Sequence, residues 1–263
     1  MTGGFETYWS AWIVGLLLIV VLPTVAVVVQ LGIRRTWPRL AEGEHNDVAG
    51  FIIAVVGVIY AVLLAFVVIV SWEKFVSAEG VVGEEASALR SIYRESTAFP
   101  LELREQLNDD VRRYATAVIE QEWPAMADGH AGDPAVARVL DEMMVHMASM
   151  PATTPTQQEF VGAEVERLND LVGARSQRLD FVDQGVSNVL WIALVVGAFV
   201  TVGFAMLFGL RSAALHIVMT ASLAVTIGVL LFVAVVMDRP FGGGVTVEPR
   251  PLERVLTDFG GPE

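Results

Sequence analysis

The chain has 263 residues, of which 54% are hydrophobic and 18% charged, and its formal net charge is −13. This composition lies between that of a soluble protein and that of a pure membrane bundle. The absence of cysteine excludes disulfides, thiolate metal sites, iron–sulfur clusters and cysteine nucleophiles. The acid excess repels phosphate backbones, so nucleic acid is not expected as a partner.

Long uncharged stretches dominate the sequence. Four of them contain no Asp, Glu, Lys or Arg: residues 7–33, 48–72, 184–210 and 212–237. A hydrocarbon core of about 30 Å is crossed by roughly 20 apolar helical residues, and each stretch is long enough. The sequence therefore predicts an integral membrane protein with four transmembrane helices in a two-plus-two order, and the lipid bilayer is its first expected partner.

The acid excess belongs to the segment between the second and third stretches. Residues 72–187 hold 21 Asp and Glu against 10 Lys and Arg. Hydrophobic residues recur there every three or four positions, which is typical of helices. We therefore predict an all-α fold in four parts: a first transmembrane hairpin (1–71), an acidic helical extramembrane domain (72–186) inserted between helices two and three, a second transmembrane hairpin (187–237) and a C-terminal tail (238–263).

Helices two and three are expected to extend beyond the bilayer. After the second span, Phe75, Val82 and Leu89 step by seven residues, and Gly80 and Gly83 are the only strong stops in the sequence before Pro100. A second apolar series steps by four and three and is broken only by Arg175: Val161, Val165, Leu168, Val172, Leu179, Val182, Val186 and Val189. This series predicts one heptad seam that runs without interruption into the third membrane helix.

The sequence shows no motif of phosphate binding, serine hydrolysis or zinc proteolysis. His45 lies in an acidic loop, residues 42–47, which we interpret as solvated rather than as a metal site. Paired acids such as Glu120 and Glu122 are interpreted as the solvated face of a helix. We therefore expect no enzyme activity, no catalytic residue, no metal and no cofactor.

The predicted spans contain almost no ionisable side chain. Coupled transporters generally carry a buried charge near the middle of the membrane, so this class is disfavoured. A passive channel remains compatible with this sequence, because hydrophobic necks and hydroxyl groups can line a pore. Four arginines lie in the short loops: Arg34, Arg35, Arg39 and Arg211. The positive-inside rule then predicts that these loops are cytoplasmic and that the acidic domain lies outside the cell.

Four local motifs are distinctive: the run Tyr60-Ala-Val-Leu-Leu-Ala-Phe66, the segment Glu84-Glu-Ala86 followed by Tyr93-Arg94, the corner Glu122-Trp123-Pro124, and the tail Asp238-Arg239-Pro240-Phe241-Gly242. Together they resemble the bacterial bestrophin-like family of integral membrane domains. The resemblance covers residues 48–251. Its candidate structural or functional residues are Tyr60, Glu84, Tyr93, Arg94, Trp123, Pro124, Asp238, Arg239 and Phe241.

The resemblance implies a homo-oligomeric passive ion channel in the bacterial plasma membrane, because bestrophins are pentameric anion channels with a cytosolic helical domain. This orientation opposes the one that the charge bias favours, and the ion stays unknown. The acidic calcium-binding run of true bestrophins has no counterpart in this sequence. The alternative is a membrane-anchored scaffold or sensor whose helical domain binds a partner. In either case we expect Asp238, Arg239 and Phe241 to pack against the base of the domain or against the exit of helix two.

Overall fold

A computed structural model describes residues 12–37, 46–149, 154–210 and 212–259. These residues form helices and turns, and no strand occurs among them. The chain divides into two compact units, and each is described by itself. The first comprises residues 1–73 and 186–238, and the second comprises residues 74–185 and 239–263. His45, in the acidic loop that we interpret as solvated, and the loop arginines Arg39 and Arg211 lie outside the described residues.

The first unit holds the membrane helices. Helix α1 spans Trp12–Thr36, α2 begins at Asn46, α7 spans Asn188–Met206 and α8 spans Ala213–Met237. Within the described residues, four helical segments are long and apolar enough to cross a membrane, in agreement with the four charge-free stretches. Most of their side chains are exposed in the single chain, as expected where lipid or another copy replaces water.

Helix α1 accommodates Pro23 through a wider turn. Pro23 has no N–H, and its ring would press on the carbonyl one turn earlier in a regular helix. Residues Leu17–Val21 form a π-helical turn, and the N–H of Leu22 donates to the carbonyl of Leu17. The same turn lies against α8, because a Cβ atom added at Gly228 would come within 2.1 Å of the carbonyl oxygen of Leu18. Glycine is required at this approach.

Polar groups join the ends of the membrane helices within the first unit. Arg34 donates to the carbonyl of Leu210 at 2.8 Å and lies 3.2 Å from Nδ1 of His216. Asn46 exchanges two hydrogen bonds with the backbone of Gly209, at 2.6 and 3.0 Å. These contacts satisfy two backbone carbonyls in the connection between α7 and α8, and they tie that connection to the end of α1 and the start of α2.

Helix α2, Asn46–Glu95, contains 50 residues and continues from the first unit into the second, as predicted. A 3-10 turn, Ser96–Ala98, ends it before Pro100. Phe75, Val82 and Leu89 are buried, which agrees with their seven-residue spacing.

The predicted continuous helix from the acidic domain into the third membrane helix is interrupted. Helix α6, Pro155–Asp183, ends before α7, and residues 184–187 between them are not helical. The hydroxyl of Ser187 accepts from the N–H of Val189, and the carboxylate of Asp238 accepts from the N–H of Val186 at 2.6 Å. These acceptors stabilise a new helix start, so the expectation of an uninterrupted seam is wrong.

The second unit is a helical assembly built on the far part of α2. It contains α3 (Leu101–Ala117), a π-helical turn (Val118–Glu122), α4 (Trp123–Ala127), α5 (Pro134–Ala148), α6 and α9 (Arg250–Asp258). Its core is formed by aliphatic residues, methionines and Tyr114. The C-terminal helix α9 buries Leu252 and Val255 in that core, so the tail belongs to this unit.

The register of α6 also differs from the prediction. Val165 and Val172, expected in the seam, are exposed by 42% and 36%. The buried positions include Leu168, Leu171 and, against expectation, Glu164 and Arg178. The apolar residues alone could not reveal this register, because two of the buried side chains are charged.

We predict that Gly228→Ala will destabilise the first unit. The new methyl group meets a backbone carbonyl, which cannot rotate away as a side chain can, so the helices must separate. The expected loss is about 1–3 kcal/mol, seen as a lower unfolding temperature in detergent.

The matched control is Gly203→Ala in α7, where an added Cβ meets nothing within 4 Å. This variant should keep or slightly raise the stability, because alanine favours the helix. Equal effects of the two variants would contradict the close approach.

Candidate functional site

Helix α2 presents two opposite faces in the first unit. One is a buried seam of Tyr60, Leu64, Val67 and Ser71. The opposite face, which we call the outer stripe, is fully apolar, and its members recur every three or four residues: Phe51, Val55, Val58, Val62, Ala65 and Ile69. All six are exposed in the single chain, and none is ionisable. The outer stripe is therefore available to line a pore, to meet lipid or to contact another copy.

A flank of small residues lies beside the outer stripe. Gly57, Ala61 and Ala65 recur every four residues along one side of α2. A Cβ atom added at Gly57 would meet nothing within 4 Å, and the two alanines are exposed. No described residue of the same chain closes this flank tightly. Such faces allow two membrane helices to approach closely.

Tyr60 lies at the centre of the buried seam. Its ring packs directly on the backbone of α7, because a Cβ atom added at Gly197 would fall 2.4 Å from the ring. Its hydroxyl group is buried and forms no hydrogen bond with any residue that the structure describes. Tyr60 thus fixes the approach of α2 and α7 through its ring rather than through its polar group.

The second unit contains a buried network of charges. Glu85 on α2, Glu122 in the π-helical turn and Arg178 on α6 expose none of their side-chain surface. Arg175, one turn before Arg178, is 15% exposed. Two carboxylates and two guanidinium groups therefore neutralise one another inside the unit.

Arg178 occupies the centre of this network. Its Nε donates to Glu85 Oε2 at 2.5 Å and its Nη2 donates to Glu122 Oε2 at 2.6 Å. Its third nitrogen lies 2.7 Å from the sulfur of Met126, and its guanidinium carbon lies 5.5 Å from the ring of Trp123. Every nitrogen of this buried cation thus has a partner, which is what makes its burial tolerable.

The two carboxylates recruit further partners. Glu85 accepts from the hydroxyl of Tyr114 at 2.7 Å, and Glu122 accepts from Arg175 at 2.5 Å and from the backbone N–H of Asp133 at 3.0 Å. The network therefore joins α2, α3, the π-helical turn, α6 and the loop before α5. Each carboxylate of the network accepts from donors on more than one segment, so the network holds these segments together.

The charges in the network set the protonation of its members. Burial by itself would raise the pKa of Glu122, but hydrogen bonds from Arg175 and the charge of Arg178 outweigh it, and the pKa is lowered. Burial and the neighbouring charge of Glu85 raise the pKa of Tyr114. Glu122 therefore remains ionised and Tyr114 remains a hydrogen-bond donor at neutral pH.

Comparison with known proteins decides the family. Residues 20–252 match the family described as the Bestrophin-like domain. The chain belongs to this family. A search of the curated proteins finds no match.

Solved structures share the bestrophin-like fold. A variant of a bacterial bestrophin homologue from Klebsiella pneumoniae is 14% identical with a TM-score of 0.71, and the match covers 92% of this chain and 98% of the homologue. A further structure of that homologue is 14% identical with a TM-score of 0.69, covering 95% and 99%. A variant described as a membrane protein is 11% identical with a TM-score of 0.71, covering 94% and 99%. At these identities the likeness is one of fold.

The candidate residues of this bestrophin-like chain occupy different environments. Trp123 begins α4 with Pro124 next to it, and its ring meets Phe241 edge-on at 5.4 Å. Tyr93 stacks on Phe259, beyond the end of α9, with ring centroids 3.5 Å apart. Glu84, Arg94 and Arg239 are exposed. Asp238 accepts from the N–H of Val186 just before α7, as described above.

Sequence reasoning missed the centre of the network. It selected Glu84 and treated Glu122 as solvated, whereas Glu84 is exposed and both Glu85 and Glu122 are buried. One signal was present: Arg175 interrupts an otherwise apolar series, and Arg178 lies one turn further along. Two arginines on the inner side of a helix require carboxylate partners.

We predict that Glu85→Gln will strongly destabilise the second unit. The substitution keeps the shape but removes a buried charge, so Arg178 loses part of its neutralisation. The expected cost is about 3 kcal/mol, measured by chemical unfolding in detergent. Glu84→Gln is the matched control, because the neighbouring Glu84 is exposed, and it should change stability by no more than about 0.5 kcal/mol. A larger effect at Glu84 than at Glu85 would overturn the assignment.

Proposed function

We propose that this protein is a homo-oligomeric, passive ion channel. The observation that carries the proposal is the outer stripe of α2, an exposed apolar face without any ionisable group, opposite a seam that is buried in the chain's own core. A single chain with four spans cannot surround an aqueous pathway. Copies of α2 arranged around an axis would enclose one, with the outer stripe as a narrow hydrophobic neck.

The small-residue flank supports such an assembly. Gly57, Ala61 and Ala65 are left open by the chain itself and lie beside the outer stripe rather than opposite it. A neighbouring copy can approach α2 closely there while the outer stripe keeps its access to the axis. Membership of the bestrophin-like family adds support, because bestrophins are oligomeric ion channels.

The first test is ion flux through purified protein in liposomes. We expect passive flux of a small monovalent ion down its gradient, measured separately for a potassium and a chloride gradient so that the ion is identified. A well-folded oligomer that passes neither ion would overturn the proposal.

Substitution in the outer stripe separates a pore from a lipid-facing surface. We predict that Val62→Ser will increase the flux severalfold, because a polar side chain lowers the cost of wetting a hydrophobic neck. Val218→Ser on α8 is the control, since Val218 is exposed to a similar extent, 60% against 64% for Val62. An unchanged flux in Val62→Ser, or an equal increase in both variants, would place the neck elsewhere.

The oligomeric state distinguishes the alternative function. The protein should run as an oligomer in a membrane-like environment, and light scattering of the detergent-free particle measures its mass. A monomer would favour a membrane-anchored scaffold or sensor, because four apolar spans have no ion pathway of their own.

We further propose that the second unit lies in the cytosol, as the family suggests, although the loop arginines favour the opposite side. The absence of cysteine makes a direct test possible, because a single introduced thiol is the only one that reacts. Ser149→Cys lies at an exposed turn after α5. A membrane-impermeant maleimide should label it only after the cells are permeabilised, and labelling of intact cells would place the unit outside.

A further inference from the structure

A second group of acids in the helical unit lacks the compensation that the central network has. Glu164 on α6 exposes none of its surface, and no described residue forms a hydrogen bond with either of its carboxylate oxygens. Glu95, the last residue of α2, has one buried carboxylate oxygen that likewise has no partner in the described part of the chain. Three carboxylate oxygens are therefore removed from water without a donor.

Glu164 occupies a fully buried position on α6. Leu168, one turn later on α6, is buried, and Phe160, one turn earlier, meets Phe99 edge-on with ring centroids 6.4 Å apart. Ile92 on the last turns of α2 is also buried. An ionised carboxylate without a partner is costly in such a place, and the usual outcome is that it becomes neutral.

The charges that face Glu164 are those of Glu95 and Arg167. Arg167 is shared, because its Nε donates to Glu95 Oε1 at 3.4 Å and its Nη1 donates to Asp170 at 3.3 Å. One guanidinium group cannot neutralise two carboxylates that both remain ionised. The group made up of Glu95, Glu164 and Arg167 is left with one negative charge, and a single proton removes it.

We propose that Glu95 and Glu164 form a carboxylic acid pair that holds one proton at neutral pH and joins the end of α2 to α6 within the helical unit. The proton makes Glu164 a neutral donor, and the free oxygen of Glu95 is an available acceptor. Loss of the proton leaves two carboxylates that repel each other, so the end of α2 loosens from α6. The pair is thus a pH-sensitive contact, independent of whether the protein conducts ions.

The direction of the pKa agrees with this assignment. Burial, together with the charge of Glu95, raises the pKa of Glu164 to about 8, against the opposing charge of Arg167. The folded state therefore binds more protons than the unfolded state between the ordinary pKa of a glutamic acid and about 8. Stability from this group is complete at the acid end of that window and is lost as the pH rises through about 8.

The direct test is infrared spectroscopy of the purified full-length protein, with the C=O stretch of a protonated carboxylic acid as the signal. We expect the band at pH 7, its loss on titration to alkaline pH, and its absence from Glu164→Gln. Glu166→Gln is the matched control, because Glu166 lies two residues away on the same helix and is exposed, and it should keep the band. No titrating band in the wild type, or a band that persists in Glu164→Gln, would overturn the proposal.

Unfolding temperature gives a second measurement. Between pH 6 and pH 9 the wild type and Glu166→Gln should lose several degrees relative to Glu164→Gln, whose neutral amide does not titrate. The same titration in the presence of calcium, magnesium or zinc tests whether a divalent cation, rather than a proton, neutralises the two acids. A metal-dependent rise that Glu164→Gln abolishes would assign the pair to a divalent cation and would overturn the proton assignment.

Discussion

Burial of Arg178 is the constraint on which the helical unit depends. A guanidinium group that exposes none of its surface must find acceptors for all its donors, and Glu85, Glu122 and the sulfur of Met126 supply them. Because these partners come from α2, the π-helical turn and α4, the position of one side chain fixes three segments relative to α6. Apolar packing alone would allow these helices to slide, whereas paired charges accept only one register.

The π-helical turn at Val118–Glu122 follows from the same requirement. In a regular helix each residue is rotated by about 100° from the one before it, and the wider π-helical turn changes the direction in which the Glu122 side chain projects. Glu122 thereby reaches Arg175, Arg178 and the backbone N–H of Asp133. The Trp-Pro pair that follows then begins α4, and Trp123 supports both the guanidinium group of Arg178 and the ring of Phe241.

The sequence predicted the helical class and the four apolar segments because both depend on average properties, namely hydrophobic spacing and the absence of charge. It did not predict the register of α6, because Glu164 and Arg178 occupy core positions that a search for apolar residues assigns to solvent. Glu84 and Glu85 illustrate the same limit, since neighbouring identical residues differ only in the direction of their side chains. The break at residues 184–187 depends on a carboxylate far along the chain, Asp238, and no local pattern reveals that contact.

The helical unit contains two groups of buried acids, Glu85 with Glu122 and Glu95 with Glu164, and they differ in how many hydrogen-bond donors surround them. Glu85 and Glu122 lie among two arginines and a tyrosine, and the hydrogen bonds from these donors orient the helices. Glu164 accepts no hydrogen bond from an arginine or a tyrosine among the described residues, and the nearby Arg167 donates to Glu95 and Asp170 instead. The first group is therefore neutralised by its own arginines, whereas the proposed contact between Glu164 and Glu95 needs a proton on Glu164. Helix α2 contributes to both groups, through Glu85 and through its last residue Glu95, so loss of that proton would act on the end of the helix and leave the contacts of Glu85 in place.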